Sequence, residues 1–342
     1  MKKSLISLLD SIEEKGEFTP TSERYMLIDG LNLFFRNFSA IRAVNPDGAH
    51  VGGLGGFFRS LGFLIKQIQP TQVYVVFDGV GSSNNRKNII PEYKSNRNIN
   101  RVTNWDVFDN IEEEDQSKVD QITRIIQYLK TLPVRTISID KVEADDIIAY
   151  LSQTLPTKPD DRAFIVSSDK DYLQLVDENI VVYRPIEKEF YVKQTVEDKF
   201  KVTPHNFLLY KLLMGDNSDG IPGIKGLGLK KLYKLFPELT EKNMSFDDLL
   251  DLCEDKLKEH VIYARVLHDV ELLENKYKVM DLSNPMIDDK DKMFIDKFVE
   301  KETLNYLPSQ FVEMYNQDKL GGLIRNVDVW VKEVFENLLE NQ

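Results

Sequence analysis

Short apolar runs that stop at an acid recur along this chain. Tyr25-Met26-Leu27-Ile28-Asp29 is followed by Gly30-Leu31-Asn32 and reads as a buried strand turning into a helix over about residues 33–41. Residues 72–77 repeat the pattern and end at Asp78-Gly79; residues 134–139 and 163–166 repeat it again, the last running into Ser167-Ser168-Asp169. A further strand, placed at the edge, is expected over 180–183, before a hairpin around 185–193. Helical periodicity falls between these runs. It covers 50–68, where Gly52, Gly53, Gly55, Gly56 and Gly62 allow close packing, then 117–132 (Val119, Ile122, Ile125, Ile126, Leu129) and 143–155. Alternating strands and helices predict an α/β fold with a mostly parallel central sheet. The acids then gather on the C-terminal edge of that sheet, where open α/β sheets bind ligands.

Two stretches depart from this rhythm. Residues 80–116 show no strand periodicity and are rich in Asn, Arg and Lys. From Ser82 to Arg101 the basic residues are Arg86, Lys87, Lys94, Arg97 and Arg101, and the acid is Glu92. Tyr93 beside Lys94 pairs a stacking ring with a phosphate-binding charge, so the stretch reads as a basic arch over a substrate. Trp105 and Phe108, three apart, are expected to pin its far end to the body. After residue 200 the chain turns helical. A helix over 205–214 leads into Gly215-Asp216-Asn217-Ser218-Asp219-Gly220-Ile221-Pro222-Gly223-Ile224-Lys225-Gly226-Leu227-Gly228, and a second helix covers 229–236. Glycines let backbone amides approach a phosphate, and the following helix N-terminus favours an anion. Lys225, Lys230, Lys231 and Lys234 fall in residues 223–236, which carry no acid. One or two helices are expected over 245–275, a surface connection or helix start near 287–297, and a terminal helix over 330–339. No internal repeat is visible.

Composition narrows the possibilities. With 342 residues, 42% of them hydrophobic, the chain can bury a core of about 200 residues and a smaller one beside it. A lone cysteine, Cys253, excludes an internal disulfide framework and a thiolate zinc site, and fits a reducing cytoplasm. His50, His205, His260 and His268 have no metal-ligand spacing. Lys2-Lys3 followed by residues 4–9 has the outline of a secretion signal, but Asp10, Glu13 and Glu14 end the apolar run too early, and no 18-residue apolar stretch occurs. Residues 1–23 are read as an N-terminal extension. The net charge of −12 excludes a histone-like DNA binder but not a nucleic-acid enzyme, in which the location of positive charge matters more than the total.

The carboxylates carry the chemistry. Glu143, Asp145 and Asp146 lie within four residues, and Asp169 and Asp171 are two apart. Part of this is explained by a helix N-terminus, where acids are favoured. Acids at four strand ends converging on one edge need more, because buried unpaired carboxylates are costly. A hard divalent cation such as Mg²⁺ or Mn²⁺ is the natural neutraliser of an all-oxygen cluster.

With these motifs in order, the chain resembles the structure-specific 5′-nucleases, which include flap endonucleases, the 5′-nuclease domains of bacterial DNA polymerase I and phage 5′-exonucleases. The resemblance covers about residues 24–240. It is nearest to the RNase H of large myophages in the Asp140–Asp146 block, the Ser167–Asp171 block, the arch sequence around Tyr93 and Arg97, and Trp105-Asp106. It implies a PIN-like three-layer domain over 24–200 with its arch at 80–116, a helix–hairpin–helix duplex-binding region over 201–275, and a C-terminal helical extension over 276–342. It also implies two Mg²⁺ or Mn²⁺ ions held by Asp29, Asp78, Glu143, Asp145, Asp146, Asp169, Asp171, Asp216 and Asp219. One cation would acidify a water and the other would stabilise the leaving 3′-oxygen. Lys94, Arg97 and Arg86 would act on the scissile phosphate. Lys87, Tyr93, Arg101, Gly223, Lys225, Gly226, Gly228, Lys230, Lys231 and Lys234 would bind nucleic acid, with K⁺ assisting at the hairpin.

The implied activity is removal of RNA primers and 5′ flaps at single-strand/duplex junctions, leaving 5′-phosphate ends. It would be performed by a cytoplasmic monomer with no membrane contact, encoded by a phage, whose C-terminal region meets a single-strand-binding protein or sliding clamp. Three departures stand out. Gly220 replaces the family's usual Asn, Lys231 replaces a small residue, and residues beyond about 240 carry no recognisable motif. The Gly-rich hairpin, reduced in the myophage enzyme, is retained here, which brings duplex gripping closer to the bacterial nucleases. A non-catalytic DNA-structure-binding replication factor and a small toxin-type RNase are the alternatives. The complete carboxylate set weighs against the first, and chain length and the hairpin against the second.

Overall fold

The computed structural model describes residues 22–94, 102–216, 220–268, 270–301 and 304–340. Its centre is a six-stranded sheet in the order β3-β2-β1-β4-β5-β6. The strands are β1 (Arg24–Asp29), β2 (Gln72–Val76), β3 (Arg135–Ile137), β4 (Arg162–Val166), β5 (Ile180–Arg184) and β6 (Glu189–Tyr191). The first five run parallel; β6 is antiparallel to β5 and takes the edge expected for β5.

Strand alternation sorts the core into two layers. Tyr25, Leu27, Tyr74, Val76, Ala163 and Ile165 face one side, together with α5 (Ala144–Thr154). Met26, Ile28, Val73, Val75, Phe164 and Val166 face the other, covered by α1 (Gly30–Ala40), α2 (Gly52–Ile68) and α4 (Ile111–Leu129). This is the three-layer α/β arrangement expected, with β1, β2, β4 and β5 buried on both faces.

The glycines of α2 have a packing reason. A Cβ on Gly62 would stand 2.4 Å from the Trp330 ring, and one on Gly56 2.5 Å from Ile41. Trp330 belongs to α15 (Val327–Glu340), which with α14 (Pro308–Gln317) completes the second layer through Phe311, Met314, Tyr315, Val334, Phe335 and Leu338. The C-terminal segment is therefore part of the core and not an appendage to it.

The arch region begins with the short α3 (Asn84–Ile89), and α4 starts at Ile111, six residues before the expected Ser117. Asn110 accepts from the Glu113 amide and Glu112, Glu113 and Glu114 fill the first turn, so capping and dipole extend the helix where apolar periodicity is absent. The pinning of the arch also differs from expectation. Trp105 is 72% exposed, whereas buried Asn104 donates to the Phe38 carbonyl and Phe108 stacks on Phe38. Glu114 accepts from the amides of Thr103 and Asn104 and completes the anchor.

Beyond the sheet come α6 (Lys193–Phe200), α7 (Phe207–Met214), the two-residue strands β7 (Gly215–Asp216) and β8 (Ile221–Pro222), α8 (Leu229–Leu235), α9 (Glu238–Glu241), α10 (Phe246–Asp255), α11 (Val261–His268), α12 (Val270–Met280) and α13 (Asp289–Lys301). Phe207, Leu212, Leu232, Phe236, Ile262 and Ile295 join the core layer of α5. This ties the helix–hairpin–helix region to the sheet edge that carries the acids.

Candidate carboxylate site and nucleic-acid interface

Strand order reverses between β1 and β4, and such a switch point opens a crevice at the C-terminal ends of the strands. Asp29 closes β1 there and also caps α1: its Oδ1 accepts from the Asn32 amide at 2.9 Å and its Oδ2 from Ser167 Oγ at 3.2 Å. Asn32 Oδ1 in turn accepts from the Ser168 amide at 3.0 Å. Asp78, just past β2, accepts from the Ala144 amide at 2.7 Å and so fixes the start of α5. Asp145 follows in the first turn of that helix and receives Tyr172 Oη at 2.6 Å. Asp169 accepts from the Asp171 amide beyond β4.

These four acids act on one another. Burial, then repulsion from Asp78 and Asp169, pushes the Asp29 carboxyl up to about 7, against stabilising bonds from Asn32 and Ser167. Burial and the charges of Asp169 and Asp29 hold Asp145 well above the usual carboxylate range. Tyr172 is likewise driven upward by burial and by Asp145. Among the described residues no Lys or Arg forms an ion pair with Asp29, Asp78, Asp145 or Asp169.

The donor chemistry fits a hard divalent cation: carboxylate oxygens crowd together from buried Asp29 through half-buried Asp145 and Asp169 to exposed Asp78, and the adjacent Glu143 leaves its Oε1 buried without a hydrogen-bond partner. As the side chains stand, no three His, Cys, Asp or Glu among the described residues are already drawn together as a cation cage. Their oxygens hold amides and hydroxyls in its place.

Several of the expected site residues are engaged with partners of their own in the structure. Asp146, expected as a metal ligand, is occupied: Arg86 grips it with two bonds of 2.6 and 2.9 Å, and the Met286 amide adds a third at 2.9 Å. Arg86, expected to act on the phosphate, is 3% exposed, and besides Asp146 it reaches Glu143 at 3.2 Å and the Val279 carbonyl at 2.8 Å. It is a buried structural clamp. Tyr93, expected to stack on a base, is 4% exposed and donates to Glu143 at 3.2 Å. Lys94 pairs with the same Glu143 oxygen at 2.9 Å, from a left-handed backbone at φ +57°. Glu143 thus carries two cations and a phenol on its Oε2, and keeps its Oε1 without a hydrogen-bond partner. Lys87 is exposed on α3. Arg97, Arg101 and Asp219 lie outside the described residues.

The last expected ligands are bridged by a residue that apolar periodicity had hidden. Lys211, on α7, is buried and ion-paired with both Asp171 and Asp216. Its helix reads as a hydrophobic run, and only an unexplained lysine inside that run hints at a buried charge partner. Tyr172 and Arg265 were missed for similar reasons. Arg265 donates to the Lys225 carbonyl from forty residues away, beside Gly226.

The hairpin itself is tightly built: Gly215 sits at φ +81°, and a Cβ there would meet the Gly223 amide at 2.3 Å. Lys225, Lys230, Lys231 and Lys234 are all exposed around Gly226 and Gly228, with Lys231 donating to the Gly226 carbonyl at 3.0 Å. Among the described residues, no helix is long and apolar enough to cross a membrane.

Comparison with known proteins gives this geometry a context. Residues 24–201 match the family model described as 5′-3′ exonuclease, N-terminal resolvase-like domain. A 5′-3′ exonuclease of Aquifex aeolicus is 30% identical over 303 residues, covering 88% of this chain and 94% of that one. DNA polymerase I of Lactococcus lactis is 31% identical over 250 residues; the match takes in 70% of this chain but spans only 27% of the polymerase. A structure of the bacteriophage T5 flap endonuclease, a pseudo-enzyme-product complex with DNA and metal ions, superposes with a TM-score of 0.61 at 20% identity. It covers 92% of this chain and 99% of that one, and the likeness is one of fold.

Proposed function

The chain belongs to the 5′-3′ exonuclease family, and from that premise we propose that it hydrolyses phosphodiesters of nucleic acid at single-strand/duplex junctions in a divalent-metal-dependent reaction. The observation that carries the reading is the crowding of Asp29, Asp78, Asp145 and Asp169 at the sheet switch point, where Asp29 and Asp145 are held above their ordinary ionisation range by burial first and by the neighbouring carboxylates second.

Asp29, Asp78, Asp145 and Asp169 would hold the cation, with Glu143 joining through its unpartnered Oε1. A divalent cation bound there supplies Lewis acidity and an acidified water. The protein supplies the rest. Tyr172 orients Asp145, Ser167 and Asn32 orient Asp29, and the Ala144 amide orients Asp78. Lys94, once it leaves Glu143, would meet the scissile phosphate and offset its growing charge. The exposed lysines around the Gly-rich hairpin hold the duplex backbone without reading sequence.

The nearer resemblance to the RNase H of large myophages rests on the blocks at Asp140–Asp146 and Ser167–Asp171. It favours RNA primers as well as DNA flaps on lagging-strand fragments as substrates. Cleavage of matched 5′-labelled RNA–DNA hybrid, DNA flap and nicked duplex, with Mg²⁺ and with EDTA, tests this. Products ending in a 5′-phosphate near the junction are expected only with Mg²⁺. Asp78→Asn and Asp145→Asn should abolish cleavage, by a factor of about 100 or more, while binding persists. Unchanged cleavage in both would remove the site assignment.

A further inference from the structure

Two groups of acids meet at the sheet edge, and they are neutralised differently. Asp29, Asp78, Asp145 and Asp169 have no cationic side chain in ion-pair contact among the described residues. Asp171 and Asp216 share one: the ammonium of Lys211 reaches Asp171 Oδ1 and Asp216 Oδ2 together. The pair comes from separate elements. Asp171 opens the short 3₁₀ turn of Asp171–Leu175 after β4, and Asp216 stands in β7 at the mouth of the hairpin. Lys211 is 7% exposed, on a helix in which Phe207, Leu208, Leu209, Leu212 and Leu213 are also buried. An ammonium so placed does the electrostatic work that a metal ion between the same two carboxylates would do, and both cannot occupy that position.

Building on the nuclease reading above, we propose that Lys211 is an internal cation that holds the second half of the carboxylate site closed until substrate arrives. A divalent cation entering between Asp171 and Asp216 displaces the Lys211 ammonium. In the protein alone that ammonium loses both of its anions inside a buried setting, a heavy penalty for a buried charge. A nucleic-acid phosphate at the site supplies the replacement anion. Cation loading at Asp171 and Asp216 and substrate binding therefore reinforce each other, and the coupling is reciprocal. Lys211 is in this sense a positioning residue, acting through the two carboxylates. It makes the complete site conditional on a phosphate being present.

Mn²⁺ binding to the full chain, followed by the electron paramagnetic resonance signal of the free ion, tests the idea without recourse to turnover. For the wild-type protein, adding a phosphorothioate-protected flap duplex should tighten the weaker Mn²⁺ site by about tenfold. In Lys211→Met the weaker site should be tight already without DNA, and the added duplex should change it little. Lys211→Gln, which keeps a hydrogen-bond donor but not the charge, should behave the same way and stands in if the Met variant folds poorly. Lys211→Arg, which keeps the charge, should retain the wild-type dependence on DNA.

Melting temperatures provide the second readout. The neutral variants should melt lower than wild type in EDTA and recover more on adding Mn²⁺. If the neutral variants bind Mn²⁺ no more tightly than wild type, Lys211 does not compete for the site and the proposal fails while the metal reading stands. If the wild-type protein binds no Mn²⁺ with or without DNA, both fall.

Discussion

Arg86 shows how burial reverses what a basic residue in a basic stretch is for. In sequence it stands among phosphate-binding candidates; in the structure it is walled in by Asp146, Glu143 and the Val279 carbonyl. Removing one partner of such a pair leaves an uncompensated buried charge. Arg86→Met should therefore cost about 3–5 kcal/mol in urea unfolding, and Arg86→Met with Asp146→Leu should recover much of it. A purely catalytic Arg86 would instead lower turnover and leave the unfolding midpoint in place.

Asp29 gives a second residue-scale expectation, one that turns on pH. Its folded carboxyl lies at about 7 against an unfolded value of 3.8, so between these the folded state holds the extra proton. The contribution is fully present below about pH 4 and is lost as pH rises through 7. Asp145 is shifted in the same direction. In EDTA the melting temperature should decline between pH 5.5 and about pH 8, and Asp29→Asn should flatten that decline. Saturating Mn²⁺ should also flatten it, because a cation takes over the task of the protons.

At the scale of elements, the Gly-rich hairpin and α8 form a unit whose backbone is prescribed by close contacts and whose charge is supplied by exposed lysines. Lys230 and Lys231 sit exposed in the first turn of α8. Lys230→Ala with Lys231→Ala should weaken duplex binding for every sequence tried. The slope of log K against log salt should become shallower by about 2, one counterion contact for each lysine. Filter binding or fluorescence anisotropy from 50 to about 200 mM salt checks this, and an unaltered slope would remove these lysines from the interface. Next to them, Lys276 donates to the Pro222 carbonyl at 2.9 Å and Arg265 to the Lys225 carbonyl, so α11 and α12 brace the hairpin from behind.

For the molecule as a whole, the C-terminal helices matter to the nuclease core because they finish it. Phe335 is fully buried, and Trp330 lies against it and covers Gly62 of α2. Phe335→Ala should lower stability by about 3–5 kcal/mol, read as an earlier urea midpoint with loss of cleavage only once unfolding begins. On the opposite layer, Gln174 donates to the Met280 carbonyl and accepts from the Leu282 amide. The segment after α12 is thereby locked to the turn that carries Asp171. The same α12 accepts from Arg86 of the arch base through the Val279 carbonyl and donates from Lys276 to the Pro222 carbonyl of the hairpin, so it links both to that turn.

What the amino-acid sequence determined by itself was the order of the parallel strands and of the main helices between them, the sheet edge on which Asp29, Asp78 and Asp169 would gather, and the basic hairpin after residue 215. These are legible because they depend on local periodicity, on turn chemistry and on side-chain alternation within a strand. Tertiary structure alone decided which charges meet. Lys211 settling between Asp171 and Asp216, Arg86 closing on Asp146, Tyr93 buried against Glu143 and Tyr172 directed at Asp145 all join residues distant in the chain. So does Trp330 against Gly62. A pattern of hydrophobic and polar positions records whether a residue is buried; the identity of its partner is set by the packing of elements that the chain brings together only when folded.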